Sequence, residues 1–171
     1  MTSAATMRSA DAEVLSSESH TLRLLLDSSD TGGAVSTHRV LLRDGAEGAG
    51  PHRHFTSAEI FYVLSGAVDV LVGEEVLQVI EGDLVVVPAG VDHAFGATAG
   101  TDGDLLVAVT PGVERFAFFR SVHAVITGTA DPSILAGSEE EYDIHPASPR
   151  AIEMWRSSRS SQPHPERGEQ S

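Results

Sequence analysis

Cysteine is absent from the 171 residues of the chain. A disulfide framework is therefore excluded, and so is a metal site built on thiolates. Any bound metal must be held by histidine, aspartate or glutamate side chains, which suit hard or borderline divalent ions.

Basic residues are few, because 11 Lys and Arg face 25 Asp and Glu, and the formal net charge is −14. A surface of this charge repels phosphate backbones and anionic lipid headgroups. The composition therefore predicts that neither nucleic acid nor a membrane is a partner of this protein.

Long apolar runs are also missing. No segment approaches the roughly eighteen apolar residues of a membrane span, and the N-terminal MTSAATMRSADAEVLSSESH has no apolar core of a signal peptide. We therefore expect a cytoplasmic protein. Hydrophobic residues still make up 41% of the sequence, which is enough for the core of one domain.

Short apolar segments between residues 20 and 127 alternate with Gly, Asp and Pro at intervals of about 8 to 12 residues. This rhythm is typical of an all-β sandwich or barrel. Ser65-Gly66, Gly73-Glu74 and Gly82 stand where turns would separate successive strands. The sequence therefore predicts a meander of antiparallel strands.

Four regions follow from the composition. We expect a flexible N-terminal tail at 1–19, a β-barrel at 20–127, a helical C-terminal segment at 128–155 that packs on or near the barrel, and a disordered tail at 156–171.

The segment GVERFAFFR, residues 112–120, has apolar residues at spacings of three and four. That spacing predicts a short helix with Val113 and Phe116 facing the core. Phe118 and Phe119 are interpreted as packing residues.

The residues with the clearest chemistry begin at His52 and His54. In an extended strand both side chains project from one face. Glu59 follows after enough chain to start an adjoining strand, and His93 in PAGVDHAFG could be brought near by the sheet. A divalent metal would compensate the burial of all four groups. Alternatively, Glu59 pairs with a protonated histidine and no metal binds.

Strand parity places apolar residues beside this cluster. If Glu59 points inward, Phe61 and Val63 do too, and Phe95 accompanies His93. Phe61, Val63 and Phe95 are therefore candidate walls of a substrate pocket.

The other histidines receive simpler interpretations. His20 and His38 are interpreted as strand or surface residues, and His123, His145 and His164 belong to no cluster in the sequence.

Two spaced motifs carry a resemblance to the cupin superfamily. GPHRHFTSAEIFYVLSG resembles the first cupin motif through His52, His54, Glu59 and Gly66. GDLVVVPAGVDHAFGA resembles the second through Gly82, Pro88, Gly90 and His93. Two positions depart from the pattern: Ala46 replaces a glycine and Ala97 replaces an asparagine.

The resemblance implies a single cupin barrel of the jelly-roll, double-stranded β-helix type, with short C-terminal helices. Compact bacterial cupins have a similar spacing between the two motifs. The flanking segments more loosely resemble the quercetin dioxygenase-like group. By the family's example, His52, His54, Glu59 and His93 would hold Fe, Mn, Ni, Zn or a similar divalent ion with open coordination positions.

The resemblance also implies a small-molecule substrate. A metal-dependent dioxygenase acting on an aromatic or enolic molecule is the first hypothesis, with Glu59 shifting between ligand and general base. A metal-dependent isomerase or cyclase and a non-enzymatic small-molecule-binding protein are the alternatives. Family analogy further predicts a homodimer, for which the outward face of Ile60, Tyr62 and Leu64 is available.

Overall fold

The computed structural model describes residues 4–137 and 139–160, and its architecture is dominated by antiparallel strands. The strands in this part of the chain are β1 (Glu13–Ser16), β2 (His20–Leu26), β3 (Ser36–Leu42), β4 (His52–Arg53), β5 (Ala58–Val72), β6 (Glu75–Ile80), β7 (Leu84–Val87), β8 (His93–Ala97), β9 (Gly103–Thr110) and β10 (His145–Pro146). The predicted all-β class is confirmed.

The strands form two sheets that share β5. One sheet has the order β1-β2-β3-β9-β5-β7, and the other has the order β6-β5-β8-β4-β10. The larger core cluster draws side chains from both sheets, including Leu42, Phe61, Val70, Phe95 and Val107. The interior of the barrel is thus filled at this level.

The continuity of β5 corrects the predicted division at Ser65-Gly66. The strand runs through both residues, pairing with β7 and β9 in its first half and with β6 and β8 in its second. A register shift occurs between Val63 and Ser65, and Gly66 has φ +78°. The bulge and the glycine let one strand pass from the first sheet into the second, where the sequence suggested a turn.

The other two turn predictions are confirmed. Gly73 has φ +63° between β5 and β6, and Gly82 has φ +91° between β6 and β7. Both values lie in the left-handed region that glycine adopts without a steric penalty.

The alternation along β5 agrees with the predicted parity. Glu59, Phe61 and Val63 are buried, whereas Tyr62 is 40% exposed. Tyr62 lies opposite the exposed Leu84 of β7 on the outer face of the sheet. The homodimer stays a prediction for this face, and sedimentation of the purified protein would measure it.

Three α-helices follow the barrel strands in the described residues: α1 (Phe116–Ile126), α2 (Glu139–Tyr142) and α3 (Pro149–Ser160). α1 begins four residues later than the predicted 112–120 helix, so Val113 precedes it. The carboxylate of Asp27 accepts hydrogen bonds from the N–H groups of Arg115 and Phe116. A side chain 88 residues away in sequence therefore caps the helix and fixes its start.

The chain ends differ from the predicted tails. Residues 13–16 form β1, because Leu15 packs over the open end of the barrel while the strand pairs with β2. At the other end α3 extends past residue 155 to Ser160, and Trp155 is buried against the second sheet. Residues 161–171 of the predicted C-terminal tail lie outside the described residues. Within the described ranges, no helix combines the length and apolar character needed to cross a bilayer.

Candidate metal centre

The four side chains that the sequence singled out meet at the open end of the barrel. β4 pairs with β8 so that His52 lies opposite His93. Glu59 sits near the start of β5, and His54 follows β4 directly. One nitrogen or oxygen of each residue lies within 4.8 Å of the others. Residues from three parts of the sheet thus share one point in space.

Glu59 Oε2 is the centre of this group. It lies 2.7 Å from Nε2 of His93, 3.2 Å from Nε2 of His54 and 3.9 Å from Nε2 of His52. The carboxylate is 3% exposed. All three imidazoles therefore turn the same nitrogen toward one buried oxygen.

The opposite nitrogens explain this orientation. Nδ1 of His52 lies 2.8 Å from the carbonyl of Gly50, and Nδ1 of His93 lies 2.9 Å from the carbonyl of Val91. Nδ1 of His54 bonds the carbonyl of Asp143. A carbonyl can only accept, so each Nδ1 carries the proton and donates it. The lone pair of each neutral imidazole is then on Nε2, as in histidines that ligate metals.

The electrostatics keep His52 and Glu59 in the forms that bind cations. Burial lowers the pKa of His52 to about 3, so its imidazole is neutral at pH 7. Burial alone would raise the pKa of Glu59, but without a metal a proton on Nε2 of His54 or His93, together with the charge of Arg115, holds that pKa well below the usual range. The carboxylate is therefore ionised.

The donor set fits a divalent metal. Three nitrogen lone pairs and a carboxylate converge in a buried place, which is costly without a positive charge between them. A proton on one imidazole would satisfy a single contact, whereas one ion would satisfy all four groups. Three imidazoles and a carboxylate suit borderline ions such as Fe, Mn, Ni or Zn.

A cavity of about 360 Å³ opens above the cluster. His52 and Glu59 lie at its base, and Phe118, Phe119 and Val122 of α1 form part of its wall. This volume is in the range of small-molecule sites.

The candidate pocket residues occupy different places. Phe95 lines the cavity, as predicted for a wall. Phe61 and Val63 instead belong to the buried core beneath it. Phe118 and Phe119, interpreted as packing residues, contribute to the wall.

Sequence reasoning missed Arg115. Its side chain is 4% exposed, lines the cavity and places Nη1 3.8 Å from Oε1 of Glu59. A cation between Glu114 and Phe116 resembles an ordinary surface residue in the sequence. Only the cap by Asp27, which is invisible to local periodicity, turns this position inward.

His20, His38 and His123 also line the cavity, although the sequence analysis interpreted the first two as strand or surface residues and assigned His123 to no cluster. His38 lies on strand β3, as expected, but is only 6% exposed, and its ring contacts Phe119 with centroids 4.7 Å apart. The alternation of β3 points it inward. The alternation of inward and outward residues along β3 could therefore have predicted that His38 faces the interior.

The buried His38 should make stability depend on pH. Burial lowers its pKa from 6.5 to about 4. The native state disfavours the protonated form of His38. The stability that the neutral imidazole contributes is therefore complete above pH 6.5 and is lost as the pH falls toward 4. Relative to His38→Phe, the chelated wild type should lose about 2 kcal/mol of unfolding free energy between pH 8 and pH 5. Urea unfolding at both pH values measures the difference, and parallel changes in the two proteins would contradict it.

Two antiparallel sheets closed around three histidines and a glutamate define a β-barrel with an internal site suited to a metal. A family model described as Cupin domain matches residues 38–109. The match identifies residues 38–109 as a cupin domain, and the barrel as a whole has the fold of solved cupins.

Solved structures share this fold. An RmlC-like cupin from Shewanella frigidimarina is 22% identical, with 68% of this chain and 96% of that chain covered and a TM-score of 0.55. A variant of Streptomyces Pac13 with uridine is 17% identical, with 67% and 87% covered and a TM-score of 0.53. The polyketide cyclase RemF from Streptomyces resistomycificus is 19% identical, with 65% and 80% covered and a TM-score of 0.52. No curated protein matches the sequence.

Proposed function

We propose that this protein is a metal-dependent enzyme acting on a small molecule with a largely apolar body. One observation carries the proposal: three Nε2 atoms and the Glu59 carboxylate converge at the base of a mainly apolar cavity. A site for structure alone would have no need of a cavity beside it. A catalytic site requires space for a second molecule.

The chain's own residues define what the site would do. A divalent ion held there would supply Lewis-acid polarisation of a substrate oxygen. Glu59 would act as a ligand and could take up a proton from the substrate, because its Oε2 atom faces the centre of the site. Phe95 and Phe119 would hold the apolar body of the substrate and exclude water.

We favour a dioxygenase of an aromatic or enolic molecule as the reaction. The looser resemblance of the flanking segments to the quercetin dioxygenase-like group supports it. The phenyl rings of Phe95, Phe118 and Phe119 around the cavity also suit a flat aromatic substrate.

A redox-neutral reaction is the second candidate, such as the isomerase or cyclase chemistry predicted as an alternative. The observation in its favour is the fold shared with RemF, a polyketide cyclase, and with Pac13, described as a nucleoside dehydratase. Such reactions need a polarised substrate oxygen and a base, and they need no O₂.

Oxygen dependence separates the two candidates. The purified protein would be analysed for its metal content, then chelated and reloaded separately with Fe(II), Mn(II), Ni(II) and Zn(II). O₂ uptake would be recorded with a panel of flavonols and β-diketones, and product formation would be followed with and without oxygen. His93→Ala serves as the metal-free control.

The expected result is metal-dependent O₂ uptake that His93→Ala lacks. Turnover that persists under strict anoxia would favour the isomerase or cyclase. A bound molecule recovered unchanged, with no turnover under any condition, would contradict an enzyme and support a binding protein.

A further inference from the structure

Arg115 is a buried cation whose hydrogen-bonding capacity is largely unused. A guanidinium has five N–H donors and no acceptor. Within residues 4–137 and 139–160, the Nε atom of Arg115 is buried and has no hydrogen-bond partner. Nη1 is 3.8 Å from Oε1 of Glu59, which is too long for a hydrogen bond. The side chain therefore lies beside the metal site without an oxygen acceptor.

His54 does not supply the missing acceptor. Nη2 of Arg115 lies 3.0 Å from Nδ1 and 3.2 Å from Nε2 of His54. Nδ1 already donates its proton to the carbonyl of Asp143, and the Nε2 lone pair faces Glu59. The two similar distances place the guanidinium nitrogen near both ring nitrogens at once, which is a contact with the imidazole ring and gives Nη2 no oxygen acceptor.

The other carboxylates near Arg115 are engaged by backbone groups. Asp27 accepts from the N–H groups of Ser28, Arg115 and Phe116. Asp143 accepts from the N–H groups of Phe55 and Thr56. Both carboxylates lie close enough to favour the charge of Arg115, although burial lowers its pKa. Neither forms an ion pair with the guanidinium.

A second unpartnered polar group faces the same space. His38 is 6% exposed and lines the cavity, and its ring makes only an aromatic contact with Phe119 among the described residues. Buried polar groups are normally paired. Two of them around one cavity therefore point to a ligand that carries polar atoms at the metal end, while α1 offers apolar side chains at the other.

We propose that Arg115 binds an anionic oxygen of the substrate, so that the substrate is a small carboxylic acid with an apolar body. The inference rests on the proposed function, because the acid group would lie beside the metal site. Arginine is suited to this role, since its planar fork matches a carboxylate with two parallel hydrogen bonds. The apolar part of the acid would lie against Phe95 and Phe119.

The test compares two probes of the same shape, 2-naphthoate and its uncharged amide 2-naphthamide. Both are titrated calorimetrically into the full chain, once loaded with Zn(II) and once chelated. Arg115→Gln removes the charge, and Arg115→Lys keeps it without the fork. Arg120→Gln is the matched control, because Arg120 lies on the same helix and pairs with Glu13 at the surface.

We expect wild type and Arg120→Gln to bind naphthoate about tenfold more tightly than naphthamide. Arg115→Gln should bring the two affinities within roughly threefold, and Arg115→Lys should give an intermediate ratio. The preference in wild type should persist in chelated protein, where no metal can attract the carboxylate. If Arg115→Gln does not fold, the ratio of the naphthoate and naphthamide affinities in wild type and in Arg115→Lys still tests the proposal.

Equal affinities for the two probes in wild type, or an Arg115→Gln preference as strong as that of wild type, would overturn the proposal. Absence of naphthoate binding in both loaded and chelated protein would overturn it as well. Zn(II) binding is measured separately by calorimetry. Failure of the metal site would thus appear as absent Zn(II) binding, whereas failure of the acid-binding inference would appear with Zn(II) binding intact.

Discussion

A hundredfold excess of free divalent metal over its Kd should raise the unfolding free energy of the wild-type protein by about 2.7 kcal/mol, and His93→Ala should lose most of that gain. An ion that binds only the folded chain stabilises it by mass action. His93 Nε2 lies 2.7 Å from Glu59 Oε2, closer than the other two imidazoles. Removal of the His93 side chain would leave the metal without a nitrogen ligand from β8. Thermal and urea unfolding of chelated and reloaded proteins measure the effect.

His123→Ala is the control for this experiment. His123 lines the same cavity but is not part of the four-residue group, so its variant should keep the full metal-dependent gain. A wild-type unfolding curve that does not move on chelation and reloading would contradict a metal site. It would leave the alternative in which Glu59 simply pairs with a protonated histidine.

Gly66→Ala should cost about 3 kcal/mol or more of unfolding free energy. Gly66 has φ +78°, where a Cβ atom is already unfavourable, and that atom would lie 1.9 Å from the carbonyl oxygen of Asp102. The same carbonyl accepts the N–H of Ala67 at 3.1 Å. Relief of the clash would therefore break the contact that holds β5 where it passes between the sheets. Urea unfolding at pH 7 gives the value.

Gly73→Ala is the matched comparison. Gly73 also has a left-handed φ, +63°, but no heavy atom lies within 4 Å of its added Cβ. It should cost only the conformational penalty of about 1 to 2 kcal/mol. Equal losses in the two variants would show that Asp102 moves aside freely and that the crossing of β5 is not tightly packed.

The convergence of the candidate ligands and the strand parity were predictable because they depend on short-range geometry. Side chains two apart in a strand share a face, so His52 and His54 converge in any strand-like stretch, and Glu59 has the same parity as Phe61. The two spaced motifs also predicted the resemblance to the cupin superfamily. The position of His93 beside His52 depends on the pairing of β4 with β8. The motifs implied that pairing, but the composition of the sequence does not predict it.

The remaining features depend on contacts between distant residues. Ser65-Gly66 has the composition of a turn, but the strand continues there because both residues pair with β9, opposite Asp104 and Gly103. The start of α1 is fixed by Asp27, and that cap brings Arg115 into the cavity. No local propensity contains this information. The same holds for Leu15, whose strand is stabilised by pairing with β2.

The three histidines of the candidate metal centre differ in how far along the chain their orienting carbonyls lie. His52 and His93 are each held by the carbonyl two residues before them, whereas His54 is held by Asp143, 89 residues later. During synthesis the first two can acquire their tautomer as soon as the barrel strands pair. The third must wait until residue 143 has left the ribosome. Until then the four-residue group lacks the carbonyl that orients His54.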